Sequence, residues 1–173
     1  MARPLIRTLN PALCLTLASV LTAQASHSAA PAQTKEIRMT TLAKGSFEVT
    51  LAPLTEGTRK GAWAPGRMSI DKRFQGDLEG TSQGEMQTAM TDVQGSAGYT
   101  AIERIQGTLH GRKGSFILQH FAVMTRGVPG EWTVLIVPDS GTDGLRGITG
   151  RMTITITGKE HTYTLDYRLP EAP

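Results

Sequence analysis

Residues 99–124 read Tyr-Thr-Ala-Ile-Glu-Arg-Ile-Gln-Gly-Thr-Leu, then His-Gly-Arg-Lys, then Gly-Ser-Phe-Ile-Leu-Gln-His-Phe-Ala-Val-Met. Both flanks are rich in β-branched and aromatic residues, and the polar tetrad between them contains a glycine suited to a tight turn. The stretch reads as one long β-hairpin. With Gly111-Arg112 as its two-residue turn, His110 faces Lys113, Ile105 faces Leu118, Tyr99 faces Met124, and Glu103 faces His120. Directly opposed residues share a face of the sheet, so a carboxylate and an imidazole are expected side by side in an otherwise apolar row.

The same period of two extends in both directions from the hairpin. Phe47, Val49 and Leu51 alternate in a first strand that starts near Ser46 and ends near Pro53; a loop over 55–66 carries Trp63; Met68, Ile70 and Phe74 mark a second strand. Gly76-Asp77 turns the chain into a third, about Thr81 to Ala89, and the hairpin supplies the fourth and fifth. Trp132, Val134 and Ile136 mark a sixth, stopped by Pro138; Met152, Ile154 and Ile156 a seventh; Tyr163, Leu165 and Tyr167 an eighth, entered through Gly158-Lys159. No segment has a helical period. Short turns between successive strands imply an antiparallel meander, and eight strands close into a barrel that leaves no edge exposed. The expected fold is therefore an all-β, eight-stranded antiparallel meander barrel, with a two-sheet sandwich as the structural competitor.

The ends of the chain are of a different character. Arg3 and Arg7 precede an apolar run from Ala12 to Ala23, and Ala23-Gln24-Ala25 has the small-x-small pattern of a cleavage site. Residues 1–25 are thus expected to be a signal peptide, with export to the periplasm or the medium. The apolar run is short for a membrane span, and no transmembrane segment is expected in the mature protein. Leu13 before Cys14 argues against a lipoprotein site. Residues 26–45 are small and polar and read as a flexible tether, leaving 46–173 as a single domain. Cys14 is the only cysteine, so the mature chain has no disulfide and relies on its core. At this size a core suffices, since such a domain buries about 68–70% of its unfolded surface. The formal net charge of +3 falls to +1 once Arg3 and Arg7 are removed, and no basic run interleaved with aromatics follows. Nucleic acid is not an expected partner; a homo-oligomer remains open.

Several blocks carry a resemblance. Met68-Ser69-Ile70-Asp71-Lys72, Phe74 to Met86, Gly95-Ser96-Ala97-Gly98-Tyr99, Glu103-Arg104, Gly111 to Phe116, Leu118-Gln119-His120 and Val137 to Thr142 occur in the order found in the bacterial domain-of-unknown-function family 3224. The chain resembles that family over roughly residues 44–169. The resemblance implies a barrel similar to that of the plant allene oxide cyclases; it does not imply their reaction, because shared fold is weak evidence for shared chemistry.

Four residues are candidates for a site. In a meander the turns after strands three, five and seven share one rim, and Tyr99, Glu103, His120 and Tyr163 are expected to face inward near it. Barrel mouths are favoured pocket positions, and these four would anchor a small apolar or amphipathic ligand. Alternatively, Glu103 orients His120 as a general base for isomerase- or cyclase-like chemistry. The plainer readings are a cross-strand pair that fixes register, or a filled structural barrel that works through surface anchors such as Trp63 and Trp132. Glu85 would join Glu103 if it faced inward, and is an ordinary solvated acid if it faces outward, the side slightly favoured. A metal centre is disfavoured, because His110 and His161 fall at opposite ends, His27 belongs to the tether, and no His-x-His or His-Glu-x-x-His spacing occurs. No cofactor is expected. Ser82 within Gly80-Thr81-Ser82-Gln83-Gly84 lacks the strand-to-helix elbow that exposes a hydrolase nucleophile.

Overall fold

The computed structural model describes residues 40–54 and 65–171. The proposed signal peptide, most of the tether and the loop with Trp63 lie outside the described residues. The eight strands are β1 (Thr41–Pro53), β2 (Gly66–Gly76), β3 (Leu78–Met90), β4 (Ala97–Leu109), β5 (Arg112–Thr125), β6 (Val128–Ile136), β7 (Thr149–Thr157) and β8 (Glu160–Arg168). They form a closed barrel in sequence order, each strand antiparallel to its neighbours. One short 3-10 turn, Asp143–Leu145, interrupts the connection from β6 to β7. The expected eight strands and their order are those found. The first strand begins at Thr41 rather than Ser46, and Ala43 is fully buried, so the last residues assigned to the tether belong to the barrel wall.

The hairpin register differs from the expected one. Leu109 pairs with Arg112, which makes His110-Gly111 the turn, and Glu103 lies opposite Leu118 while His120 lies opposite Ala101. Tyr99 faces Ala122, and Ile105 faces Phe116. The reason is local. His110 and Gly111 have φ of 44° and 76°, the pair of left-handed residues that a type I′ turn needs to match strand twist. Histidine adopts that conformation more readily than most residues, and tertiary bonds hold it there. Its amide donates to the Asp77 carbonyl at 2.9 Å, and its Nδ1 lies 2.8 Å from the Tyr167 hydroxyl. Moving the turn by one residue moves every partner by two. Because side chains alternate with period two, each residue keeps its face. Gly111→Ala meets no neighbouring atom but keeps the positive φ, so urea unfolding is expected to show a loss of about 1 kcal/mol. An unchanged midpoint would mean the turn is not held in this form.

Turns after β2, β4 and β6 define the base of the barrel, and those after β1, β3, β5 and β7 its mouth. The base is packed solid. Leu78, Ile105, Leu109, Phe116, Leu118, Ile148 and Leu165 are fully buried. The chain between β6 and β7 closes this end from below, with Leu145 inserted and Ser140 and Thr142 taking over where β6 stops. The amides of Ile117 and Ser115 donate to Ser140 Oγ and Thr142 Oγ1 at 3.0 and 3.1 Å, so the β5 backbone stays satisfied.

Pairing around the barrel is uneven. β4 and β5 are laddered from Ala97–Met124 to Leu109–Arg112, whereas β6 and β7 share the single position Leu135–Arg151. β8 pairs with β1 only from Thr41–Tyr167 to Phe47–His161, so β1 continues toward the mouth after β8 has begun.

Candidate functional site

Inward positions at the barrel's mid-height carry polar side chains. Alternation along β2 places Lys72 on the face of Ile70 and Phe74, and along β3 places Ser82 on the face of Leu78 and Met86. Lys72 and Ser82 are direct cross-strand partners. Glu103 on β4 lies opposite Gly84, where a Cβ would come within 2.6 Å of the Glu103 Cβ. The missing side chain at Gly84 gives the carboxylate room to lie against its neighbours. Lys72 Nζ donates to Glu103 Oε1 and Ser82 Oγ to Oε2, each at 2.6 Å. The ammonium also lies 5.0 and 5.9 Å from the ring centroids of Phe47 and Phe74, a favourable placement over aromatic faces.

His120 extends this cluster toward the mouth. Its Nε2 is 3.5 Å from Glu103 Oε1, although it stands opposite Ala101 rather than Glu103. Its ring meets that of Tyr99 edge-on, centroids 5.7 Å apart, with Nδ1 3.4 Å from the Tyr99 hydroxyl. Trp132 borders the same hydroxyl. Either partner donates in the Tyr99–His120 contact, according to the imidazole tautomer. His120 Nε2 is buried without a hydrogen-bond partner. Glu103 and His120 are 1% and 2% exposed, so the cluster is a dry floor beneath the mouth.

Burial first, and then the Lys72 ammonium, pull the His120 pKa down, the Glu103 carboxylate opposes both, and the net value is about 4. The imidazole is neutral at pH 7. Burial likewise raises the Tyr99 phenol, with neighbouring Trp132 opposing, so Tyr99 is neutral as well. The unfolded chain takes up the His120 proton near pH 6.5 and the folded chain only near 4. Stability from this group is therefore complete above pH 6.5 and is lost as pH falls toward 4, a swing on the order of 3 kcal/mol. An NMR titration of the imidazole is expected to show a midpoint near pH 4; a midpoint at the ordinary histidine value would overturn this assignment.

Tyr99, Glu103 and His120 thus come together as the sequence suggested, and Tyr163 does not join them. The Tyr163 hydroxyl accepts from the Leu78 amide at 2.9 Å, beside the base-end turns. It is separated from the floor by Phe74, whose ring it meets edge-on at 5.7 Å. The cause is the stagger that closes a barrel: β8 begins at the height of Phe47, so a residue early in β8 is not near the mouth. Glu85 points outward and pairs with Arg67. Lys72 and Ser82 were missed in the sequence, although Lys72 has the same parity as Met68, Ile70 and Phe74 and was open to the same reading. Among the described residues, no group of three His, Cys, Asp or Glu side chains is placed to hold a metal ion. Two cavities, of about 360 and 390 Å³, are bordered by Phe47, Glu48 and His161 and by Arg104, Lys113 and Thr142 respectively, and neither reaches Tyr99, Glu103 or His120.

Above the floor the inward face stays apolar but is no longer covered. Leu51, Met90, Met124, Trp132 and Ile156 continue the inward rows of their strands and are exposed. Fold and site together define an antiparallel barrel with a filled base, a dry acid–base floor and an open apolar rim. A family model described as a protein of unknown function (DUF3224) matches residues 43–167, and the chain belongs to that family. It is similar to a protein of unknown function of the same family from Shewanella oneidensis MR-1, known from a crystal structure at 1.84 Å. The two are 44% identical with a TM-score of 0.69, over 76% of this chain and 99% of that one. No curated protein matches the chain.

Proposed function

We propose that the protein is an exported barrel that binds a small apolar or amphipathic molecule at its mouth. The observation that carries this reading is the ring of exposed, inward-facing apolar side chains set over a buried polar floor. Apolar surface left in water costs about 25 cal/mol per Å², and a contiguous exposed patch marks a binding surface more often than an accident of packing. A few polar groups at the bottom of an apolar recess are what orients a small ligand. The solid base confines the site to the upper barrel, above Glu103 and His120.

The line Tyr99–His120–Glu103 favours a second reading, an acid–base enzyme in which neutral His120 accepts or relays a proton. Native mass spectrometry of protein purified without detergent from its own exported fraction tests the first. The expected result is a mass excess removed by organic extraction, on a chain whose N-terminus is Ser26. A chain with no adduct that also fails to take up apolar probes would leave the binding reading without support, and a retained residues 1–25 would overturn export.

A further inference from the structure

We infer that the mouth selects amphipathic molecules with an uncharged oxygen head group, an alcohol, ketone or ester on an aliphatic body, over fatty carboxylates and cationic amphiphiles. The inference rests on the mouth being a binding site and names what it takes. Every charge at the floor already has its partner. Lys72 and Glu103 neutralise each other at 2.6 Å, and Ser82 completes the carboxylate's bonding. His120 is buried beside that ammonium, and Tyr99 is a phenol within a hydrogen-bonded line. Among the described residues, no ammonium or guanidinium is left at the floor for an anionic head, and no carboxylate for a cationic one. Among the described residues the mouth-end turns and strand ends carry both signs, with Asp92, Glu131 and Glu160 against Arg126 and Lys159, so the rim adds no strong bias.

The floor offers hydrogen bonds instead. Tyr99 Oη meets His120 Nδ1, and because phenol and imidazole exchange donor and acceptor roles between tautomers the hydroxyl can accept from a head group or donate to one; His120 Nε2 is buried without a hydrogen-bond partner. A hydroxyl or carbonyl head uses such groups without bringing a charge into a dry recess. The aliphatic body has no room below, where Phe116, Leu118 and Leu165 are fully buried. It lies along the rim toward the seam between β6 and β7, where the strands share only the paired position Leu135–Arg151, a register that sets Trp132 across from Ile154.

Calorimetric titration at pH 7 with four probes of equal chain length tests this: decanol, methyl octyl ketone, decanoate and decyltrimethylammonium. The expected result is that alcohol and ketone bind at least about tenfold tighter than either ion, the penalty for an uncompensated charge near a buried floor. Trp132→Ala is expected to weaken decanol binding by a similar factor, about tenfold. Decanoate or the ammonium binding as tightly as decanol would overturn the head-group inference while the binding reading stood. No binding by any of the four would take the reading down with it. Decanol binding unaffected by Trp132→Ala would place the site elsewhere and overturn the inference.

Discussion

Replacing Glu103 by alanine is expected to lower the unfolding free energy by about 3–5 kcal/mol, measured by urea denaturation at pH 7. The loss comes from what remains rather than from what is removed. Lys72 Nζ is held 2.6 Å from the carboxylate in a position only 5% exposed, and without Glu103 its charge has no counterion. The rings of Phe47 and Phe74 sit beside the ammonium but do not neutralise it. Ser82 would lose its acceptor at the same time. The double variant Lys72→Met with Glu103→Leu is expected to recover most of the loss, since a buried pair replaced by apolar side chains of similar volume is often close to neutral. A single-variant loss under about 1 kcal/mol would show that water reaches the pair and that the floor is not dry.

Phe116→Ala is expected to cost about 3–5 kcal/mol, a large fraction of the stability of a domain of this size. Phe116 is fully buried at the level where Ile105, Leu118 and Leu165 are also sealed, and it faces Ile105 across the hairpin. A closed barrel wall resists collapse into the void, so the cavity penalty adds to the lost transfer energy. Leu51→Ala, an inward position at the mouth with 45% of its surface exposed, is expected to cost under about 1 kcal/mol by the same measurement. The contrast between the two tests the division of the interior into a solid base and an open rim. Equal costs would mean the mouth is packed as tightly as the base.

The strands were legible because barrel walls impose alternation on the sequence. Met152, Ile154 and Ile156, or Tyr163, Leu165 and Tyr167, need only the pleat to be recognised. Face was legible too, and robustly so. The turn moved from Gly111-Arg112 to His110-Gly111, yet Glu103 and His120 kept their side and still meet, because the shift in pairing was an even number of residues. Height along the barrel was not legible. It depends on stagger, summed over every neighbouring pair around the wall, and no local pattern records that sum. Tyr163 was misplaced for this reason: its parity was right and its level was wrong. Lys72 was overlooked for a different one. A lysine in an apolar row suggests an edge or an error until its partner is known, and that partner, Glu103, lies two strands away.

Because β6 and β7 meet at Leu135–Arg151 alone, the barrel is mechanically a strip rolled up and fastened at one point. In the order of continuous ladders the strip runs β7, β8, β1 and on to β6, so the join between β8 and β1, where the two ends of the domain come together, lies inside it as a full ladder. Its two free margins are instead consecutive in the chain, tied by the segment that seals the base. Parting the wall along that one line would break no other ladder, and the segment below would still tie the two margins together. A cylinder built this way has its weakest fastening along that line, and the covalent chain itself ties its foundation.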